Sequence, residues 1–188
     1  MTGVTHKIGG IAAGTIAIAA VPVERTDIKV IVLTGAVVGS LLPDIDQPRS
    51  TIGRKLKAVS WGIGVFRFLL KISTCLLPVK EKKYIRGVAG HRGITHSLLA
   101  CFMVMGAFYL FRPCVPFQSY YVGLAEGVIV GMWSHIFLDM LSNGVPLFTP
   151  ISNKRIVLAR IKTGGIREWL VRVILLLLAG ILAVPKAF

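Results

Sequence analysis

Long apolar stretches account for most of this chain, and they restrict the folds it can adopt. They run over Ile8–Val23, Ile28–Leu42, Val59–Val79, Ser97–Val115, Tyr120–Leu141 and Leu170–Pro185. A helix that crosses a bilayer needs about 20 mostly apolar residues, within a range of about 17 to 25. The fourth and fifth stretches reach that range, and we expect the final one, with 16 residues, to be a span at the short limit. The first two predict a tight pair of shorter spans.

Composition agrees with a membrane protein. Of the 188 residues, 54% are hydrophobic and 16% are charged, whereas about 25% charged residues are usual in soluble domains. The mean hydropathy is +0.74. The length predicts a single membrane-embedded domain covering residues 1–188.

The basic residues predict the topology. They collect in residues 43–58, 80–92 and 152–167, which the positive-inside rule places in the cytoplasm. Two of these loops flank the third apolar stretch, which must then begin and end on one side. That stretch also carries Arg67 and Lys71 on one helical face, as is typical of a helix lying along the membrane surface. The sequence therefore predicts an all-α bundle of about five spans plus one interfacial helix.

The net charge of +14 would ordinarily suggest nucleic acid as a partner. In an apolar chain, however, Lys and Arg collect beside anionic headgroups. We therefore expect anionic phospholipid headgroups as partners, and no nucleic acid.

The start of the chain has a second interpretation. Lys7, a short apolar run and Ala17-Ile18-Ala19 are similar to a secretory signal with its cleavage site. Because further apolar spans follow, and because cleavage would remove His6, we expect this segment to be retained.

The polar residues best suited to chemistry gather at the predicted cytoplasmic face. They are His6, His91, His96, His135, Asp44, Asp46 and Asp139. The fourth aspartate, Asp27, falls at the other end. Ligands that converge in a chain with so few polar side chains predict a metal site.

His135 and Asp139 lie four residues apart in one apolar span, so they project from one helical face. Ionisable residues inside a span are costly and normally face a partner within the bundle. They are interpreted as two metal ligands, or as a ligand with its supporting carboxylate. The alternative is a hydrogen bond that joins helices.

Asp44 and Asp46 follow the second span between Pro43 and Pro48. The prolines predict an extended loop in which both carboxylates point the same way. Such close carboxylates repel each other unless a cation lies between them. The alternative is a solvated helix end.

Residues 90–97, Gly-His-Arg-Gly-Ile-Thr-His-Ser, give the most specific local signal. Thr95 is a predicted N-cap that would place His96 in the first helical turn. Arg92 suits bidentate binding of phosphate oxygens. His6, just before the first span, could close the ring of ligands.

Imidazole and carboxylate together favour Zn²⁺, with Mn²⁺ or Fe²⁺ also suitable. The cysteines, Cys75, Cys101 and Cys114, are isolated and offer no thiolate site. Seven ligands exceed the four of one tetrahedral zinc, so we expect one or two ions, with a bridging aspartate if there are two.

These motifs resemble a known family. Residues 41–46 (Leu-Leu-Pro-Asp-Ile-Asp), 90–99 and 134–141 (Ser-His-x-x-x-Asp-Met-Leu) resemble the YdjM-like family of bacterial inner-membrane metal-dependent hydrolases, and Gly144–Leu147 and Pro150 continue the pattern. That family is in turn similar to the all-helical zinc phospholipase C and P1 nuclease group, whose members cleave phosphoesters. Those enzymes are secreted and soluble, whereas this chain is predicted to be embedded in the membrane.

The resemblance implies a bacterial inner-membrane protein with metal ligation by His6, Asp44 or Asp46, His91 or His96, His135 and Asp139. We expect a membrane-bound hydrolase that cleaves a phosphoester in a phospholipid or lipid-linked substrate by metal-activated water. Asp44 or Asp46 would act as bridge or base, and Arg92 would hold a phosphate oxygen. The alternatives are a metal-ion transporter and a non-enzymatic membrane scaffold with a structural metal.

Overall fold

The computed structural model describes residues 1–21 and 25–183. Their α-helices are α1 (Gly3–Ala20), α2 (Thr26–Gly39), α3 (Thr51–Lys55), α4 (Lys57–Ser73), α5 (Val79–Val88), α6 (Leu98–Phe111), α7 (Gln118–Met140) and α8 (Ile166–Ala183). Short 3-10 helices cover Leu42–Asp46, Ile94–His96 and Arg112–Cys114. Within the described ranges the only β pairing is an isolated bridge between Val145 and Ile156. The predicted all-α class is confirmed.

The centre of the fold is the contact between α2 and α7, which run parallel with almost no space between their backbones. A Cβ on Gly39 would lie 2.1 Å from the carbonyl oxygen of Val128, and one on Gly131 would lie 2.1 Å from that of Ala36. Small residues allow this approach, and dispersion contacts between the backbones stabilise helix pairs in an apolar solvent. The register set by these glycines brings Ser40 beside His135.

The other long helices pack around this pair. α1 contacts both α2 and α7, α8 packs on α1, and α6 packs on α7. Five helix ends therefore meet at one end of the bundle, which we call the site end: the starts of α1, α6 and α8, and the finishes of α2 and α7. At the opposite end, Arg25 at the start of α2 contacts Tyr120 in the first turn of α7.

The predicted count of five spans is not confirmed. Within residues 1–21 and 25–183, two helices are long and apolar enough to cross a membrane. They are Thr26–Asp46, which is α2 with the 3-10 turn that continues it, and Gln118–Met140. α6 with its 3-10 extension, Leu98–Cys114, is shorter. α8 has Arg167, Glu168 and Arg172 in its first turns, and charged groups reduce the apolar length available for a span.

The third apolar stretch forms most of α4, which lies at the site end; its predicted position along the membrane surface stays a prediction. It contacts α3, the 3-10 helix Leu42–Asp46 and α5. The three basic loops also meet at this end, where the Asn153 amide donates to the carbonyl oxygen of Tyr84 (3.0 Å). The last predicted stretch extends to Pro185, so its final residues lie outside the described part.

Candidate metal centre

His135 and Asp139 lie on one face of α7, and both are completely buried. His135 Nε2 lies 3.7 Å from Asp139 Oδ2. The Nδ1–H of His135 donates to the carbonyl oxygen of Ser40 (2.6 Å), since a carbonyl can only accept. In the neutral ring this bond leaves the lone pair on Nε2, which points into the cluster. The backbone at the end of α2 therefore fixes the tautomer of His135.

His6 joins the cluster from α1, as the ring-closing role predicted for it requires. Its imidazole stacks on that of His135, with ring centroids 3.7 Å apart and planes 13° apart. His6 Nε2 lies 3.4 Å from Asp139 Oδ1. The amino group of Met1 also reaches this oxygen (2.9 Å). The first turn of α1 thus covers one side of Asp139.

His96 lies at the centre of the cluster, but it is not in the first turn of α6. The predicted N-cap at Thr95 is wrong: Ser97 caps α6 by accepting from the Ala100 N–H (3.3 Å). The Thr95 hydroxyl instead lies 3.0 Å from His96 Nδ1. Residues 94–96 form a 3-10 turn and α6 begins at Leu98, so Ser97 is the residue in the N-cap position.

His96 Nε2 lies between Asp44 and the two ligands on α7, His135 and Asp139. This atom lies 3.5 Å from Asp44 Oδ1, 3.5 Å from Asp139 Oδ2 and 3.2 Å from His135 Nε2. Burial lowers the pKa of His96 below its usual range, although the hydrogen bond to Asp44 opposes the shift. The neutral imidazole that metals bind is thereby favoured.

Asp44 and Asp46 do not lie in an extended loop, so that prediction is wrong. They belong to the 3-10 helix Leu42–Asp46, with Pro43 in its first turn, where a fixed φ and a missing N–H are well tolerated. The carboxylates consequently have different neighbours. Asp44 Oδ1 lies near His96 and near His135 Nε2 (3.8 Å), whereas Asp46 contacts His91 Nδ1 (3.2 Å).

Arg67 is a site residue that the sequence analysis assigned to the membrane surface. Its guanidinium forms a salt bridge with the Asp46 carboxylate and donates from Nη1 to the Asp46 carbonyl oxygen (2.9 Å). It lies near the middle of an apolar stretch, whereas Arg112 and Arg172 lie near the ends of theirs. A cation in such a stretch normally has a partner inside the protein. The position of Arg67 in the sequence was therefore the signal that could have identified it as a site residue.

Arg92 faces inward, with Nε 3.0 Å from Asp139 Oδ2 and Nη2 3.1 Å from Oδ1. Its backbone is in the left-handed region (φ 59°), which is costly for a residue with a Cβ. The phosphate-binding role predicted for this arginine stays a prediction. Its two contacts with Asp139 leave Nη1 as a further donor.

Glu168 was also missed as a supporting residue. It is completely buried in the first turn of α8 and accepts from the Thr2 N–H (2.7 Å), the Gly164 N–H (2.6 Å) and the Thr5 hydroxyl. These bonds hold the start of α1, the helix that carries His6. A single glutamate at the start of an apolar stretch was its only signal in the sequence.

All seven predicted ligands fall into three overlapping groups, and within each group the ligand atoms lie within 4.8 Å of one another. The groups are His6, His135 and Asp139; Asp44, His96 and His135; and Asp44, Asp46 and His91. His135 belongs to the first two and Asp44 to the last two.

This donor set fits a divalent transition metal, which imidazole nitrogens and carboxylate oxygens bind together. The Nε2 atoms of His6, His96 and His135 converge on carboxylate oxygens. Among the described residues, Asp139 Oδ2 and His6 Nδ1 are buried without a hydrogen-bond partner. Arg92 Nε lies 3.0 Å from Asp139 Oδ2 but outside hydrogen-bond geometry, so this oxygen keeps a lone pair that a bound cation could use.

The chain is similar to proteins of known families. The sequence profile of the YdjM inner membrane protein family matches residues 1–187. The chain is 35% identical to the inner membrane protein YdjM of Escherichia coli over 122 residues, which are 63% of this chain and 49% of that protein. It is 34% identical to the uncharacterized protein YvsG of Bacillus subtilis over 172 residues, which are 91% and 87% of the two chains.

The chain thus spans about half the length of the Escherichia coli protein, and no solved structure matches it. The profile nevertheless covers nearly the whole chain, including every segment that contributes to the cluster of histidines and aspartates. The two long apolar helices are in keeping with a membrane protein. The chain belongs to the YdjM inner membrane protein family.

Proposed function

We propose that this protein is a metal-dependent hydrolase of the inner membrane that cleaves a phosphoester in a phospholipid or lipid-linked substrate. The observation that carries the proposal is the overlap of the three ligand groups through His135 and Asp44. A residue that belongs to two ligand groups can lie between two neighbouring metal ions. Pairs of neighbouring metal ions are typical of enzymes that cleave phosphoesters.

The exposure of the ligands differs across the cluster in a way that suits an enzyme. His6, His96, His135 and Asp139 are almost completely buried, whereas the side chains of Asp44 and His91 are 24% and 40% exposed. A site with one solvent-accessible side can admit a substrate group, while a purely structural site is closed by its ligands.

Zinc is the metal that this donor set favours, bound as one or two ions, with Mn²⁺ or Fe²⁺ as alternatives. A divalent metal held there lowers the pKa of water and stabilises negative charge on an attacked phosphoryl group. His135 and His96 would hold it through Nε2, each with Nδ1 engaged by a neighbouring oxygen.

The surroundings of the two aspartates suggest separate roles. Asp44 faces two histidines and forms no salt bridge with Lys or Arg in the described part of the chain, so it is the better bridging ligand. Asp46 is paired with Arg67, which lowers its basicity. Asp46 therefore suits the support of His91 better than the role of base, which the sequence left open between the two aspartates.

The orientation of the protein is part of the proposal. The three basic loops lie at the site end, and such loops are retained in the cytoplasm. We therefore infer a multi-pass protein whose site faces the cytoplasm, where a lipid substrate arrives in the membrane plane.

A structural metal site in a non-enzymatic scaffold is the second candidate, because most of the ligands are buried. A transporter is less well supported: at the end opposite the site, the described polar groups include the Arg25–Asp27 pair and Tyr120, and no ligand group lies there among the described residues.

The test is metal content and phosphoesterase rate measured on the same preparations of purified protein, with lipid phosphoesters as substrates. We expect wild-type protein to turn over at least one substrate, and Asp44→Asn to lose both metal and activity. Ser134→Ala is the matched control, since its hydroxyl bonds within α7 to Gly131. Bound metal with no turnover on any phosphoester would favour the scaffold.

A further inference from the structure

A cleft of about 490 Å³ lies where α3 meets the first turn of α4. Its wall includes Pro48, Arg54, Lys57, Ser60 and Trp61. Pro48 follows the 3-10 helix that carries Asp44 and Asp46, so the cleft is next to the candidate metal centre in the chain. None of its lining residues belongs to the three ligand groups.

The cleft has positive charge without matching negative charge. Arg54 and Lys57 are exposed, and neither forms a salt bridge with any residue that the structure describes. No side chain caps the start of α4, and the free N–H groups of a helix start carry partial positive charge. These features together favour an anion.

Ser60 is an independent sign that a ligand belongs there. Its side chain is 1% exposed, and its Oγ has no hydrogen-bond partner among the described residues. A serine in a helix usually donates to the carbonyl of the preceding turn, and an unsatisfied buried hydroxyl is costly. Ser60 lines the cleft, and rotation of its side chain about χ1 would bring this donor to an acceptor oxygen of a ligand there.

The position of α4 indicates where the ligand comes from. Trp61, at the rim, is 73% exposed, and farther along the helix Phe68 and Ile72 are also exposed. An amphipathic helix with aromatic residues on its apolar face is typical of the membrane interface. In an inner membrane protein, such a helix meets lipid headgroups, so the anion that reaches the cleft is a lipid phosphate.

We propose that this cleft binds the phosphate group of an anionic phospholipid. Arg54 and Lys57 supply the charge, Ser60 donates the hydrogen bond, and Trp61 contacts the lipid beside its headgroup. The site does not depend on the proposed hydrolase activity, because the metal ligands take no part in it.

Binding is tested with the full-length protein in detergent, titrated with short-chain phosphatidylglycerol and followed by native mass spectrometry. Parallel titrations use phosphatidylcholine and inorganic phosphate. We expect selective binding of phosphatidylglycerol, weakened about tenfold or more in the Arg54→Gln/Lys57→Gln variant. Ser60→Ala should weaken binding about threefold to tenfold without lowering the Tm, because the hydroxyl has no protein partner to lose.

Lys55→Gln/Lys83→Gln is the matched control, since both lysines are exposed and lie outside the cleft lining. It removes the same charge and should bind within about twofold of wild type. The proposal is overturned if this control loses as much affinity as the cleft variant, or if Ser60→Ala binds like wild type. Equal binding of phosphatidylcholine, or binding of inorganic phosphate as tight as that of the lipid, would also overturn it, because the proposal requires selectivity for an anionic lipid.

Discussion

Asp44 and Asp46 are separated by a single residue, yet their carboxylates lie in different surroundings. Asp44 Oδ1 is 3.5 Å from His96 Nε2, whereas Asp46 forms a salt bridge with Arg67. The Asp44 carboxylate therefore faces the buried candidate ligands without a Lys or Arg of the described residues beside it, whereas the Asp46 carboxylate faces His91 and is already neutralised by Arg67.

The two aspartates should respond differently to the same substitution. Asp44→Asn should reduce metal stoichiometry with little change in the metal-free protein. Asp46→Asn should lower the free energy of unfolding by about 1–3 kcal/mol, because it leaves Arg67 without its carboxylate. Thermal unfolding in detergent checks this, and Asp46→Asn/Arg67→Gln should be less destabilised than the sum of its single variants. Additive effects would contradict the pairing.

The histidines should determine metal content. Protein purified without chelators should carry one or two transition-metal ions, and His96→Ala or His135→Ala should lower that number. Elemental analysis measures it, with Ser134→Ala as a control that should keep the wild-type value. Wild-type protein without metal would count decisively against the site.

Arg92 should show an unusual order of stability among its variants. Its φ of 59° costs a residue with a Cβ about 1–2 kcal/mol, and glycine avoids that cost. Arg92→Gly should therefore be more stable than Arg92→Ala by about 1 kcal/mol, although both lose the contact with Asp139. Melting temperatures of the metal-free variants test this, and a lower value for Arg92→Gly would show that the strain is absent.

The glycines between α2 and α7 should tolerate no side chain. Gly39→Ala places a methyl group against the Val128 carbonyl and should cost about 1–3 kcal/mol. It should also reduce bound metal, because the next residue, Ser40, holds His135. Gly62→Ala is the control: apart from its chain neighbours and the backbone of its own helix, no atom of a described residue lies within 4 Å of the added Cβ, so its Tm should stay level or rise slightly.

The natural cysteines report on orientation. Cys114 is exposed at the end opposite the site, Cys75 is exposed just after α4, and Cys101 is buried. With the site end in the cytoplasm, a membrane-impermeant maleimide added outside intact cells should label Cys114 and miss Cys75. Cys114→Ser should abolish the signal. Labelling of Cys75 from outside would reverse the proposed orientation.

Local geometry allowed the sequence to predict the fold class and much of the candidate site. The apolar stretches predicted helices, and the spacing of His135 and Asp139 placed both on one face, because helical periodicity fixes which side chains share a face. The convergence of His6 and His96 on that face followed from topology: the basic loops predicted which helix ends meet.

Only the tertiary structure decided how these residues divide their contacts. The turn at Asp44 and Asp46, the cap at Ser97 and the inward position of Arg67 depend on partners distant in the chain, and no local pattern encodes them. The number of spans also depends on long-range packing. A short helix with charged ends can cross the bilayer only where neighbouring helices cover its polar groups. Sequence periodicity thus selected the face of each helix, and long-range packing selected the partner that each polar atom on that face meets.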